Sequence, residues 1–135
     1  MKGRFDDARY IFDRLALLYP ERAFAYLGLG LVEIDREQYR KAAQWFETAL
    51  DVVPDYGIAL AWLGVSLVFE RRYALAVRSL IAATKGDDES ARGLASTFLA
   101  IPECVPYARA YTAAASMSVV THSTHSTHSR LNARG

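Results

Sequence analysis

Small and aromatic residues recur along this chain at a fixed distance of thirty-four residues, and that period admits few folds. Ala8, Ala42 and Ala76 keep the spacing, as do Phe5, Tyr39 and Tyr73. So do Phe12, Phe46 and Leu80, then Leu15, Ala49 and Ala83, the pairs Leu29-Gly30 and Leu63-Gly64, and Pro20 with Pro54. Unrelated amphipathic helices would each keep a 3.6-residue period, but they would not hold Gly30 in register with Gly64. One full period, residues 23–56, reads as a helix, a polar break at Asp35-Arg36-Glu37-Gln38, and a second helix. Phe24, Leu27, Gly28 and Leu31 mark the first helix by their spacing; Tyr39, Ala42, Phe46, Ala49 and Leu50 mark the second. Pro54 lacks an N–H and disfavours helix at Val53, so the second helix stops there.

A thirty-four-residue unit with Leu-Gly in its first helix, and Ala, an aromatic, Ala and Pro in its second, resembles the tetratricopeptide repeat. The resemblance implies an all-α solenoid of helix-turn-helix units. Residues 4–18 are then the second helix of a first repeat, and residues 23–53 and 57–84 are two full repeats. A C-terminal capping helix follows over 91–101, opened by Asp87-Asp88-Glu89-Ser90 and closed by Pro102. Residues 107–117 are compatible with one more short helix. Gly30, Ala42 and Ala49 are expected to let helix backbones approach, while Tyr26, Leu29 and Phe46 fill the remaining space. The repeat domain is expected over 1–115. A tail over 116–135 carries Thr-His-Ser three times and no apolar period.

A solenoid end normally presents a polar cap, yet residues 4–18 carry more apolar side chains than one neighbouring helix covers. Either an upstream helix is missing or another chain covers this end. Phe5, Ile11, Phe12 and Leu15 are therefore assigned to self-association, as in a homodimer.

A net charge of +1 lacks the basic stripe a nucleic-acid binder needs. The single cysteine, Cys104, allows no internal disulfide and fits a reducing compartment. The N-terminus has no signal-peptide core. Gly57 to Phe69 is an uncharged run of thirteen residues, short of the roughly 18–20 that a membrane span needs, so no membrane insertion is expected.

No catalytic constellation emerges. All three histidines (His122, His125 and His128) lie in the tail without flanking acids or cysteines, so no metal site, cofactor or general base is expected. Gly28 and Gly30 sit inside a helix and make no phosphate loop. The chain reads as a non-enzyme.

In tetratricopeptide repeats the first helices line a concave face. Carried over by column, the peptide-binding groove here is Phe24, Leu27, Leu31, Ile34, Ile58, Ala61, Trp62, Val65, Val68 and Phe69. Gly28 and Asp35 occupy the two other columns, and only Asp35 is charged. Helices apolar on nearly every side need cover on nearly every side, and a bare stripe of this kind marks an interaction site. A polypeptide segment laid along it would bury roughly 600–1,000 Å² and gain on the order of 15–25 kcal/mol gross, mostly offset by association and ordering. Residues 107–117 folding back, or two copies pairing their stripes, are the alternative occupants.

Within the repeat superfamily the chain is similar to the small translocator-binding chaperones of bacterial type III secretion. The likeness spans Gly3 to about Ile101. It rests on Gly3-Arg4-Phe5-Asp6-Asp7-Ala8 with Ile11-Phe12, on Tyr26-Leu27-Gly28-Leu29-Gly30, on Gln38-Tyr39 with Ala42, and on Asp87-Asp88-Glu89-Ser90-Ala91-Arg92. It implies a cytoplasmic bacterial chaperone whose groove holds an extended apolar segment of a secretion substrate. A needle-subunit chaperone of the same systems is a neighbouring expectation. From a different class, the alternative is a scaffold or adaptor that uses its repeats for self-assembly.

Overall fold

The computed structural model describes residues 2–18 and 22–117. The Thr-His-Ser tail with its three histidines lies outside the described residues. Those described are helical and contain no strand: α1 (Lys2–Leu18), α2 (Ala23–Asp35), α3 (Tyr39–Val52), α4 (Gly57–Phe69), α5 (Tyr73–Thr84), α6 (Glu89–Leu99) and α7 (105–117). The largest interfaces are α2 with α3 and α4 with α5, the two hairpins expected from the period. Beyond sequence neighbours, α6 packs on α4, and α2 touches α4 only slightly.

Why the hairpins close so tightly is visible in two glycines. Gly30 abuts the ring of Phe46, and Gly64 abuts the side chain of Leu80, so a β-carbon at either position would overlap its partner. Both partners are 0% exposed, and the small columns behind them (Ala42, Ala49, Ala76 and Ala83) are buried too. Gly28 takes the ring of Phe12 in the same way, docking α1 onto α2.

The turns repeat down to single hydrogen bonds. In the first hairpin the N–H of Glu37 donates to Ile34 O (2.9 Å) and that of Gln38 to Glu33 O (2.8 Å); in the second, Arg71 donates to Val68 O (2.9 Å) and Arg72 to Leu67 O (2.9 Å). These are the paired bonds of a Schellman helix end, which requires a left-handed residue. Glycine is absent there: Glu37 has φ 60° and Arg71 has φ 61°. A side chain in that conformation costs roughly 1–2 kcal/mol, partly balanced by the greater chain entropy of glycine when unfolded. Glu37→Gly and Arg71→Gly are each expected to raise stability by about 0.5–1 kcal/mol in urea unfolding; a loss would contradict this account of the turns.

The third hairpin differs from expectation. α6 is followed by α7, which packs back onto the core through Ala108 and Tyr111, so α6 is not the terminal helix. Its period is thirty-two: the Ala108 N–H donates to Cys104 O at 2.9 Å, just as Ala76 donates to Arg72 O and Ala42 to Gln38 O. The cause is α5, twelve residues against fourteen in α3, so α6 already begins two residues early. The fully buried column Ala25, Ala59 and Ala91 follows the same shortened step. The start of α6 is as expected, with the Asp88 carboxylate accepting from the Ala91 N–H at 3.1 Å.

Among the described residues two ionisable side chains are fully buried, Glu33 and Cys104. Glu33 is 2% exposed; its Oε1 lies 3.6 Å from Arg9 Nη1 on α1 and 3.6 Å from Arg36 Nη1. Cys104 is wholly buried, and burial, then the Glu103 carboxylate, push its thiol above the ordinary 9.0. Burial, then Asp88, likewise raise the Tyr56 phenol above 10.0. The native state therefore holds both protons more tightly than the unfolded chain. Their contribution to stability is complete below about pH 9 and is lost as pH climbs through the raised values. The melting temperature is expected to fall on moving from pH 8 to pH 10, and Cys104→Ala should flatten part of that fall; a flat wild-type profile would contradict it.

Candidate polypeptide-binding face

Helices α2 and α4 read as the same element twice, so their equivalent side chains can be compared directly. The structure treats them differently. On α4, Ala61 (0% exposed), Val65 (2%) and Val68 (8%) are interior, and Ala61 and Val68 share a core cluster with Ala91 and Ala95 of α6. These three were expected to face a ligand; the packing of α6 on α4 covers Ala61 and Val68 instead, and Val65 is buried on the same helix. On α2 the equivalent Leu27, Leu31 and Ile34 stay half-buried, because α4 barely reaches α2.

What remains open is an apolar surface with an aromatic end. Phe24 is 43% exposed and Phe69 is 52% exposed, while Leu31, Ile34, Ile58 and Trp62 are half-buried. Phe69 stands where the first hairpin has Asp35, which turns a charged helix end into an apolar one. Tyr39 of α3 stacks on its ring at 4.6 Å between centroids and 10° between planes. Phe98 of α6 meets it edge-on at 6.2 Å. Tyr39 and Phe98 thus belong with this surface, and the sequence reading missed them. Tyr39 looked like a repeat column, and Phe98 occupied a column meant for glycine. No family model matches the chain, and no curated protein is significantly similar to it.

The residues expected to mediate self-association divide in the same manner. Ile11 is 56% exposed on α1, beside Tyr10 at 61%. Phe12 is half-buried, with its ring against Gly28 inside the same chain. Phe5 and Leu15 lie on α1, and their side chains are outside the described residues. Among the described residues no helix is long and apolar enough to cross a membrane.

Chemically, the α2–α4 face offers dispersion and hydrophobic contact, with Phe24 at the start of α2, Phe69 at the end of α4 beside Tyr39 and Phe98, and branched aliphatics along both helices. An apolar side-chain row on a bound segment would meet few polar groups that need compensation. Asp35 stands at the C-terminal edge of α2 and is exposed.

Proposed function

We propose that this protein is a non-enzymatic helical-repeat module of the tetratricopeptide type, which holds an apolar polypeptide segment against α2 and α4. The reading extends to a cytoplasmic bacterial chaperone for a secretion substrate, in keeping with the resemblance of residues 3–101 to translocator-binding chaperones. The repeat assignment is supported by the thirty-four-residue recurrence of turn bonds, left-handed residues and glycine–side-chain contacts. The binding assignment is carried by one observation: Phe24 and Phe69 are large apolar side chains left 43% and 52% exposed beside an uncharged row. Surfaces of that composition are uncommon on chains that bind nothing.

A selection of random peptides displayed on phage tests it. Enriched sequences are expected to be apolar, and Leu31→Glu with Phe69→Glu should release them while circular dichroism stays unchanged. Enrichment of charged peptides, or retention by the double variant, counts against the proposal.

The second reading, a self-associating scaffold, is favoured by Tyr10 and Ile11 on α1. Under that reading Tyr10→Glu with Ile11→Glu converts oligomers to monomers in sedimentation and leaves peptide selection untouched.

A further inference from the structure

The interval between α4 and α5 holds an open pocket of about 350 Å³ that shares no residue with the Phe24–Phe69 face. Leu60, Leu63 and Leu67 of α4, Leu75 and Ala82 of α5 and Tyr111 of α7 supply its apolar lining. Arg72 and Arg78 also line it, and Glu47 is the one acid that does. Neither arginine side chain makes an ion pair or hydrogen bond among the described residues.

The first hairpin shows what this space looks like when filled. Thirty-four residues before Leu60 and Ser79 stand Tyr26 and Trp45, whose rings stack at 6.1 Å and 15° between α2 and α3. In the second hairpin Leu60 and Ser79 replace that stacked pair, the Ser79 hydroxyl donating to the Leu60 carbonyl at 2.8 Å, and Tyr111 of α7 is the one ring that lines the recess. The rim changes with it. Gln38 and Gln44 become Arg72 and Arg78, and Lys41 becomes Leu75, which is 40% exposed. An aromatic plug has been exchanged for an apolar recess with two free guanidinium groups at its edge. Its volume falls within the roughly 300–1,000 Å³ of small-molecule sites.

We propose that this pocket binds a fatty-acid-class monocarboxylate, its apolar chain on Leu60, Leu63, Leu67 and Leu75 and its carboxylate held by Arg72 and Arg78. Guanidinium groups pair with carboxylates through charge-assisted, often bidentate hydrogen bonds. Two arginines against Glu47 leave one positive charge for the single negative charge of the ligand.

Decanoate titrated into the full chain, below its micelle concentration, is expected to shift the methyl resonances of Leu63, Leu67 and Leu75. It should bind about tenfold or more tightly than decanol, which lacks the charge. Arg72→Gln with Arg78→Gln, copying the first hairpin, should erase that preference. Leu60→Tyr with Ser79→Trp, copying Tyr26 and Trp45, should abolish binding of both probes. Equal affinity for decanoate and decanol, or binding retained by the filled variant, overturns the proposal. So does tighter binding of a peptide ending in Leu-Leu with a free carboxylate, which assigns the pocket to polypeptide C-termini. If the filled variant does not fold, the arginine pair decides, since those side chains have no partner among the described residues.

Discussion

Phe46→Ala is expected to lower the unfolding free energy by about 3–5 kcal/mol, and the melting temperature by roughly 10–20 °C. Phe46 is fully buried, and its ring lies directly on the backbone of Gly30, so it sets the separation of α2 and α3. Truncation leaves a ring-sized void that glycine on the facing helix cannot reach into. The chain also provides its own control. The second hairpin solves the same contact with Leu80 on Gly64, so Phe46→Leu should cost only about 1–2 kcal/mol. Equal losses for Phe46→Ala and Phe46→Leu would mean that the ring does not space the helices.

A comparably large effect is expected from Val65→Glu, although the same substitution at Phe69 should be mild. Val65 is 2% exposed on α4, where an ionised carboxylate would lose its hydration. An unpaired buried charge costs at least about 3 kcal/mol, or is avoided by local unfolding. Phe69 is 52% exposed; Phe69→Glu forfeits its stacking on Tyr39 and the edge contact with Phe98, about 1–2 kcal/mol in all. Chemical denaturation of the two variants side by side measures the difference. A mild Val65→Glu would place Val65 on an open surface, as the repeat columns alone had implied.

The contrast between these two valine and phenylalanine positions shows where legibility in sequence ended. The hairpins, the Gly30–Phe46 contact and the Asp88 cap followed from spacing and capping chemistry, which are local. The third hairpin was hidden because α5 is two residues shorter than α3, so a search at thirty-four residues set Thr97 and Phe98 against Leu63 and Gly64. Burial of Ala61 and Val68 depends on a helix thirty residues further on settling over α4, which no column within one repeat encodes. No column of the repeat marks Glu33 as interior; on the inner side of α2 its carboxylate meets Arg9 of α1 and Arg36 of the following turn. The recess between α4 and α5 had a readable trace, the exchange of Tyr26 and Trp45 for Leu60 and Ser79, but it gained meaning only once those rings were seen stacked.

The binding claim is tested most directly by the emission of Trp62 on the α2–α4 face. The chain has two tryptophans, and Trp45→Phe leaves Trp62 as the single reporter while keeping a ring against Tyr26. Titration with an extended Leu- and Val-rich peptide is expected to shift Trp62 emission to the blue and to saturate in the micromolar range. A charged peptide of equal length should leave it unmoved. An emission spectrum that stays constant with the apolar peptide, or moves equally with both, would contradict the account.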